Sequence, residues 1–272
     1  MTSHNYAEVI GDPIDHSLSP IIHSFWLDAL AIDAGYGRRK VSRAELPAYI
    51  AEKRADPAWR GSNVTMPLKL DAVVLADEAT DRAVAAGAAN VLMMREGRLA
   101  AANTDVGAIA ILLARLYESK ARMGSVTLLG NGGAARAALV ALKLVGISAV
   151  RIQARDLGEA VKLAVEFGLQ IEPAPFTAPI ATDGLINATP LGMPGRDCLN
   201  CELHRMPADG WVLDMVTEPS VTPLIEAARK QNLKTVGGLD MLIEQAATSF
   251  KLFFDADAPR DRDEQLWQLL KR

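Results

Sequence analysis

The chain has 272 residues, of which half are hydrophobic and 23% are charged, an ordinary balance for a packed globular protein. Its formal net charge is -4 at pH 7 and it has no basic stripe, which argues against nucleic acid as a partner. The most apolar helical run, 134–147, contains Arg136 and Lys143 and is too short to span a bilayer. We therefore expect a cytoplasmic protein without a membrane segment.

The two cysteines form a C-x-x-C pair, Cys198 and Cys201, with His204 three residues further on. A structural zinc ion needs four ligands, and the chain has no second cysteine pair. The pair does not open a helix after a strand, as a redox motif would. We expect two reduced thiols and no metal site.

The N-terminal part alternates between strand-like and helix-like segments. A strand over 6–10 leads into a loop of turn-forming residues, after which Ser19 and Pro20 predict a helix start, with Ser19 as the N-cap and Pro20 at the first helical position. The next predicted elements are a weak strand, a helix and a strand, over 35–41, 43–55 and 59–65. This alternation favours βαβ units and a mainly parallel sheet.

A lone lysine, Lys69, follows the last of these strands in the stretch NVTMPLK. Pro67 suits a first helical turn, because its missing N–H would be unpaired there anyway. We therefore place Lys69 in the first turn of a helix that continues to about Ala86, beside the carboxyl end of a strand, where ligands collect in α/β sheets. A solvated surface lysine is the alternative interpretation of this residue taken alone.

A hairpin and a glycine-rich loop mark the middle of the chain. The predicted hairpin joins strands over 89–94 and 99–102, and a helix over 106–117 follows it. The string GNGGAA at 130–135 then separates a β run from an alanine-rich helix, a context typical of dinucleotide binding because glycine lets backbone N–H groups approach a pyrophosphate. The string comprises Gly130, Asn131, Gly132, Gly133, Ala134 and Ala135.

The strand after this helix ends in residues that bear on cofactor choice. It covers 149–153 and runs into Arg155 and Asp156. In dinucleotide-binding folds an acid at this position binds the ribose of NAD, whereas an arginine accommodates the 2′-phosphate of NADP. Both residue types are present, so both cofactors stay open from the residues alone.

The last third of the chain continues the same alternation. The predicted elements are strands over 183–188, 211–215 and 234–236 and helices over 219–232, 239–254 and 264–271. Gln245 lies in the middle of the long helix, where glutamine usually faces solvent.

Seven motifs in this order resemble the shikimate dehydrogenase family from end to end. They are IGDPIDHSLSP (10–20), NVTMPLK (63–69), NTD (103–105), GNGGAA (130–135), INATPLGM (186–193), DM (214–215) and GLDMLIEQ (238–245). The resemblance implies an α/β fold of two domains, an N-terminal α/β substrate domain and a Rossmann-type dinucleotide-binding domain. The substrate domain would comprise 1–103 and 239–272, and the dinucleotide-binding domain 104–238.

The resemblance also implies an activity, the reversible NADPH-dependent reduction of 3-dehydroshikimate to shikimate in aromatic amino acid biosynthesis. The substrate would be a small hydroxylated carboxylate. A catalytic pair would match Lys69 and Asp105, although which of the two takes the proton stays open. A free lysine has a pKa of about 10.4, too high for an efficient base at neutral pH.

The remaining site residues follow from the same resemblance. The implied substrate contacts are Ser17 and Ser19 for the carboxylate, and Thr65, Asn90 and Gln245 for the hydroxyls. The implied NADP contacts are Gly130, Asn131, Gly132, Gly133 and Ala134 for the pyrophosphate, Arg155 for the 2′-phosphate, and Met215 and Gly238 for the nicotinamide.

Several positions depart from the family pattern. Thr217 stands where the family usually has a substrate-contacting tyrosine, and the remaining departures are Val91, Ala154, Asp156, Glu159 and Asp240. An acid near the 2′-phosphate would repel it, so NAD use is possible. The alternatives are thus an NAD-preferring quinate/shikimate dehydrogenase, a paralogue of altered substrate, or a non-catalytic regulator that binds these acids. A related-fold methylenetetrahydrofolate-type dehydrogenase is disfavoured by the paired serines at 17 and 19, and the sequence does not indicate the oligomeric state.

Overall fold

The computed structural model describes residues 4–168, 170–199 and 201–271, and these divide into two compact units. The first unit comprises Met1–Thr104 and Ile243–Arg272, and the second comprises Asp105–Leu242. The sequence-based domain ranges end close to these limits without coinciding with them. The second limit falls inside one continuous helix, so that helix has residues in both units.

The regular elements alternate along the chain as follows. Up to the first limit they are β1 (Asn5–Gly11), α1 (Ser19–Ala29), β2 (Ala34–Lys40), α2 (Leu46–Arg54), β3 (Trp59–Val64), α3 (Lys69–Leu75), β4 (Glu78–Ala79), α4 (Asp81–Ala86), β5 (Val91–Arg95) and β6 (Arg98–Ala102). The second unit contains α5 (Asp105–Glu118), β7 (Ser125–Leu129), α6 (Gly133–Leu144), β8 (Ala149–Ala154), α7 (Leu157–Phe167), β9 (Gln170–Pro175), β10 (Gly184–Asn187), β11 (Trp211–Asp214), α8 (Pro223–Lys230) and β12 (Lys234–Val236). The chain closes with α9 (Gly238–Phe254), a 3₁₀ turn (Arg260–Arg262) and α10 (Asp263–Leu270).

The sheet of the first unit is mixed, with the strand order β2-β1-β3-β5-β6-β4. β1 runs parallel to both β2 and β3, whereas β5 is antiparallel to β3 and to β6. The apolar core on this sheet includes Leu46, Leu68, Leu92 and Leu99, all fully buried. The predicted hairpin is confirmed, and its turn uses Glu96 and Gly97, both with positive φ.

The sheet of the second unit is entirely parallel, with the order β12-β11-β10-β7-β8-β9. When the six strands β7–β12 are renumbered 1–6 in chain order, this is the 3-2-1-4-5-6 arrangement of the dinucleotide-binding fold. The order reverses between β7 and β10, the first and fourth strands of the unit. Ligands bind to such sheets in the crevice at this reversal, beyond the carboxyl ends of the strands.

The helix predicted from Lys69 to Ala86 is wrong as a single element. The structure contains two short helices, α3 and α4, with β4 between them. The reason is a tertiary contact: β4 pairs with β6, and the Asp77 carboxylate accepts hydrogen bonds from Arg54 and from the Leu99 N–H. Those partners lie more than twenty residues away, so local helix propensity does not reveal them.

Within these described residues, no helix has the length and apolar character needed to cross a membrane. The same part of the chain contains no group of three or more side chains that could hold a metal ion. Cys198 and Cys201 are both free thiols, and burial raises the pKa of Cys201 to about 11.

Candidate active site

One edge of the first sheet gathers the residues that the sequence associates with substrate. β1 and β3 are parallel, so the loops after Gly11 and Val64 leave the sheet at the same edge. β5 is antiparallel to β3, which places its first residues there, and β6 ends there because it is antiparallel to β5. Ser17, Thr65 and Asn90 all lie in these connections. The topology thus assembles residues far apart in sequence at one place.

Gly11 allows the first two of these loops to touch. A Cβ at this position would lie 2.5 Å from Thr65 Cγ2 and 2.7 Å from the Met66 carbonyl oxygen. Two backbone hydrogen bonds tie the loops together, from the Asp12 N–H to Met66 O (3.1 Å) and from the Thr65 N–H to Ile10 O (2.9 Å). The β3–α3 loop is therefore fixed against the end of β1.

Lys69 is the first residue of α3, as its position after β3 predicts, and its side chain is partly buried. The prediction that Pro67 occupies the first helical turn is wrong. Pro67 follows a cis peptide bond and lies in a turn that the Leu68 N–H closes onto Thr65 O, so the helix begins only after Leu68. The Lys69 carbonyl accepts the Ala89 N–H at 2.8 Å. This bond fixes the lysine backbone next to Asn90.

The two serines lie where β1 passes into α1. The prediction that Ser19 is the N-cap is wrong, because the helix is preceded by Leu18 in helical geometry and Ser19 is its first residue. The Ser19 N–H is instead directed at the Ser17 hydroxyl oxygen, at 3.4 Å. Ser19 is buried, whereas Ser17 is half-buried. The Ser19 hydroxyl is thus not used as a helix cap.

Asn90, Thr104 and Gln245 form a buried hydrogen-bonded cluster, although the three are remote in sequence. The Asn90 amide donates to Thr104 Oγ1 at 2.8 Å and to Gln245 Oε1 at 3.2 Å, and its oxygen accepts the Thr104 N–H at 2.7 Å. Gln245 is 7% exposed, so it is not the surface residue that its helical position suggests. Both amides are held in defined orientations, which suits recognition of substrate hydroxyls.

Thr104 belongs to this cluster but was missed as a site residue. Its hydroxyl also approaches Gln245 Oε1 at 3.4 Å. The available signal was the NTD motif, in which Thr104 stands between Asn103 and Asp105. Asn103 is structural, since its amide donates to the Ala88 carbonyl at 2.8 Å.

Asp105, which the sequence predicts to form a catalytic pair with Lys69, is the first residue of α5 and is buried. A carboxylate is favoured at a helix N-terminus, where the backbone N–H groups carry partial positive charge.

The glycine-rich loop lies at the strand-order reversal of the second sheet. Gly130 follows β7 with φ +103°, and a Cβ there would lie 3.1 Å from both the Ala188 oxygen and Thr189 Cγ2, in the loop that follows β10. The Ala188 N–H donates to Leu129 O at 3.0 Å. A side chain at 130 would therefore clash with the neighbouring loop and strain the backbone.

The start of α6 fits a dinucleotide pyrophosphate. Its N-cap is Gly132, which has no side chain to occupy the first N–H groups of the helix, and Gly133 and Ala134 add little bulk. Asn131, Gly133 and Ala134 are all partly exposed around this terminus. Backbone N–H groups and the positive end of the helix dipole together favour a bound phosphate.

Arg155 and Asp156 follow β8, the next strand of the sheet, and both are exposed. The Asp156 carboxylate is the N-cap of α7 and accepts from the N–H groups of Gly158 (2.8 Å) and Glu159 (3.2 Å). The Glu159 carboxylate contacts Lys162 at 2.5 Å. Asp156 and Glu159, two of the acids that depart from the family pattern, therefore have structural partners, while Arg155 is exposed directly after the strand.

A buried carboxylate, Asp214, orders the loop that contains Met215. Asp214 accepts hydrogen bonds from Asn187 (2.8 Å), the Val216 N–H (3.1 Å) and the Thr222 hydroxyl (2.5 Å). Burial raises the pKa of Asp214, and these three bonds oppose the rise. Gly238, the first residue of α9, lies against this loop, because a Cβ on it would be 2.1 Å from the Val216 oxygen. The second unit thus brings Met215 and Gly238 together.

Two more of the residues that depart from the family pattern, Asp240 and Val91, have a structural role. Asp240 accepts the Gly237 N–H at 3.0 Å and so serves the start of α9. Val91 begins β5, is fully buried and pairs with Asn63 and Ala102. Thr217 is half-buried in the loop after Met215.

Comparison with known families gives two matches along the chain. Residues 9–92 match the shikimate dehydrogenase substrate binding domain, and residues 238–266 match the shikimate 5'-dehydrogenase C-terminal domain. A relative from Sphingopyxis alaskensis, named shikimate dehydrogenase (NADP(+)), is 44% identical over 97% of this chain and 96% of its own. A relative of the same name from Rhodopseudomonas palustris HaA2 is 38% identical over 93% and 91%.

Solved structures give the same result. A shikimate 5-dehydrogenase from Thermus thermophilus, in complex with NADP(H) and shikimate, has a TM-score of 0.84 and 31% identity, covering 98% of this chain and 99% of its own. A quinate dehydrogenase from Corynebacterium glutamicum, in complex with NAD, has a TM-score of 0.86 and 27% identity, with the same coverage. The identity to the curated relatives exceeds both values. The chain belongs to the shikimate dehydrogenase family.

Proposed function

We propose that the protein catalyses the reversible, NADPH-dependent reduction of 3-dehydroshikimate to shikimate. The observation that carries this proposal is the array at one edge of the first sheet, where two serines, a threonine, two buried amides and one lysine converge. This set suits a small polyhydroxylated carboxylate. The 44% identity to an NADP-dependent shikimate dehydrogenase over nearly the whole chain supports the same substrate.

The substrate contacts divide by chemistry. Ser17 and Ser19, at the start of α1, would bind the carboxylate through hydroxyl donors and the helix N-terminus. Asn90 and Gln245 would bind the ring hydroxyls, because an amide both donates and accepts. Thr65, in the loop after β3, would bind a hydroxyl through its own hydroxyl group. These donors are neutral, so they hold the acid less tightly than an arginine clamp would, and product release stays easy in both directions.

Lys69 would exchange the proton of the reacting oxygen. Oxidation of a secondary alcohol removes a hydride from carbon and a proton from oxygen, so a group that can take the proton must contact that oxygen. Lys69 begins a helix and has its backbone fixed by the bond to Ala89, so the point at which its side chain leaves the backbone is fixed. In the reductive direction the same ammonium group gives the proton back. Asp105 would hold a neighbouring hydroxyl of the substrate.

The second unit fits NADP, which supplies the hydride acceptor when it is bound. The glycine N-cap of α6 and the close approach at Gly130 leave room for a pyrophosphate beside backbone N–H groups. Arg155, exposed directly after β8, would meet the 2′-phosphate. Met215 and Gly238 would line the nicotinamide. Since NADPH is an intracellular reductant, we also propose that the protein acts in the cytoplasm.

The residues that depart from the family pattern suggested other functions, namely an NAD-preferring quinate/shikimate dehydrogenase, a paralogue of altered substrate or a non-catalytic regulator. Comparison with the relatives does not favour them. The curated relatives are named for NADP and shikimate, whereas the quinate dehydrogenase structure is only 27% identical. A non-catalytic regulator would not require both Lys69 and Asp105, and the chain retains both.

Substitution of Lys69 by alanine tests the assigned chemistry. We expect Lys69→Ala to lower kcat for shikimate oxidation by about 10²–10⁴-fold, the usual contribution of a general acid–base group, with shikimate binding largely kept. Steady-state kinetics with NADP, together with calorimetric titration of shikimate, would measure both quantities.

Lys143→Ala is the matched control, because Lys143 is an exposed lysine on another helix. It should leave kcat unchanged. An unaltered kcat in Lys69→Ala would contradict the role given to Lys69 without affecting the identity of the substrate, which the parent enzyme tests directly.

A further inference from the structure

Thr104 lies between the two amides of the buried cluster at the edge of the first sheet. Its N–H donates to Asn90 Oδ1 at 2.7 Å, and its hydroxyl oxygen accepts a hydrogen from Asn90 Nδ2 at 2.8 Å. The same hydroxyl approaches Gln245 Oε1 at 3.4 Å. Thr104 is 3% exposed, so these bonds form away from solvent. One threonine therefore contacts both of the amides that are assigned to the substrate hydroxyls.

The backbone holds Asn90 and Thr104 side by side. The Asn90 N–H donates to the Ala102 carbonyl at 3.0 Å, and the Asn90 carbonyl accepts the Val64 N–H at 2.8 Å. Asn90 is thus tied to the ends of β6 and β3 immediately before β5 begins. Thr104 follows Ala102 by two residues, so the sheet sets the distance between the Thr104 N–H and the Asn90 side chain.

The bond from the Thr104 N–H decides which way each amide is turned. A backbone N–H only donates, so the Asn90 atom 2.7 Å away must be the side-chain oxygen. The other end of Asn90 is then its amino group, which lies 3.2 Å from the end of Gln245. An amino group needs an acceptor there, so that end of Gln245 must be its oxygen. The orientation of both amides follows from one backbone donor.

The hydrogens and lone pairs of the cluster determine what each amide can offer a ligand. The two hydrogens of the Asn90 amino group are directed at Thr104 Oγ1 and Gln245 Oε1. The group that Asn90 can turn to a ligand is therefore its oxygen, which accepts two hydrogen bonds, one of them from the Thr104 N–H. Gln245 Oε1 accepts from Asn90 and from the Thr104 hydroxyl, so the group that Gln245 can turn to a ligand is its amino group.

We propose that Thr104 is a positioning residue that polarises the two amides, so that Asn90 meets the substrate as a hydrogen-bond acceptor and Gln245 meets it as a donor. This inference rests on the proposed function, which assigns both amides to the substrate hydroxyls. It gives Thr104 a role in substrate recognition and none in hydride or proton transfer.

This polarity predicts which substituents each amide tolerates. A hydroxyl group suits both amides, because it donates and accepts. A keto group or a fluorine atom only accepts, so it fits opposite Gln245, whereas opposite Asn90 it would place two acceptors against each other. Such a mismatch leaves buried polar groups unpaired, and a hydrogen-bonding site rejects an analogue strongly in this way.

Thr104→Val tests the role of the hydroxyl, because valine keeps the shape and the backbone N–H but has no hydroxyl to donate or accept. We expect it to raise the KM for shikimate about tenfold, the order of effect of buried polar groups left without a partner, with kcat and the KM for NADP unchanged. Thr104→Ser, which retains the hydroxyl, should have a KM close to that of the parent. Thr127→Val is the control and should leave the KM unchanged, because Thr127 is a buried threonine of the second unit whose hydroxyl contacts Thr182 at 2.8 Å.

Shikimate analogues test the polarity itself. In each analogue one non-reacting ring hydroxyl, at carbon 4 or at carbon 5, is replaced by hydrogen or by fluorine, and calorimetric titration gives the Kd. Hydrogen removes both hydrogen-bonding functions of the hydroxyl, whereas fluorine restores an acceptor alone. At one of the two positions we expect fluorine to bind about threefold more tightly than hydrogen, the lower range for one net hydrogen bond. This gain should disappear in Gln245→Ala and persist in Asn90→Ala.

A gain from fluorine that disappears in Asn90→Ala would overturn the inference, as would the absence of any gain that depends on Gln245. An unchanged shikimate KM in Thr104→Val, or a raised KM that Thr104→Ser shares, would contradict the role given to the hydroxyl. Absence of shikimate turnover in the parent enzyme is a separate result, which would contradict the proposed function itself.

Discussion

Asp156 shows how one carboxylate can take part in both local structure and cofactor choice. It caps α7 through two backbone N–H groups, yet it stays exposed beside Arg155, where a 2′-phosphate is expected. The helix N-terminus offsets part of the negative charge but does not remove it. We therefore expect the acid to oppose NADP weakly, which is compatible with an NADP-dependent enzyme.

Replacing Asp156 by serine removes the negative charge but keeps the helix cap, because serine can also cap a helix. We expect Asp156→Ser to raise the ratio of kcat/KM for NADP to that for NAD by about 2–5-fold, the size of an exposed charge interaction of up to ~1 kcal/mol. The gain should shrink at high salt. Asp81→Ser, at an exposed helix start in the first unit, serves as the control. Equal ratios in parent and variant would refute the repulsion.

At the level of single residues, the sequence predicts which residues belong to a site better than it predicts which other residues each of them contacts. It indicates that Ser19, Asn90 and Gln245 belong to a site, but it assigns Ser19 to a helix cap that the structure does not use. Thr104 was not selected, because its partners are set by tertiary contacts. Gln245, for example, lies 155 residues from Asn90.

Near the residues predicted to bind the cofactor, the start of α9 is packed so tightly that it leaves no room for a side chain. Its first residue, Gly238, lies against the backbone of Met215 and Val216, and a Cβ there would come within 2.1–2.9 Å of three backbone atoms. Since backbone atoms cannot move aside as a flexible side chain can, the Met215 loop would have to shift.

We expect Gly238→Ala to destabilise the protein by about 1–3 kcal/mol, as overpacked sites do, and to weaken NADP binding through the displaced Met215 loop. Thermal unfolding and titration with NADP would measure the two effects. Gly237→Ala is a close control, because its Cβ would meet only ordinary contacts at 3.7 and 3.8 Å. Similar behaviour of the two variants would contradict the packing argument.

At the level of elements, the sequence predicts strands and helices well wherever periodicity and turn residues agree. β1, β3, the β5–β6 hairpin, β7 and α6 all lie where expected. It missed α7, although Ala160, Leu163 and Phe167 have helical spacing and are buried, and it missed β9. β9 contains Pro173 and Pro175, which argue against a strand, and it is tolerated because it is the edge strand of its sheet.

For the whole molecule, the strand orders of the two sheets decide which distant residues meet. Periodicity predicts alternating strands and helices but does not specify that β3 and β5 are antiparallel or that the second sheet reverses between β7 and β10. The family resemblance supplied that information, and the described topology places the predicted residues of each unit at the ligand-binding edge of their sheet.

The measurement that tests this account most directly is an absorbance assay at the ~340 nm band of the reduced nicotinamide cofactor. Purified protein would be mixed with shikimate and NADP, then with NAD in place of NADP, and with quinate in place of shikimate. We predict rapid reduction of NADP by shikimate, with a kcat/KM above that of every other pair. Faster turnover with NAD or quinate, or no turnover of shikimate with either cofactor, would contradict the proposed function.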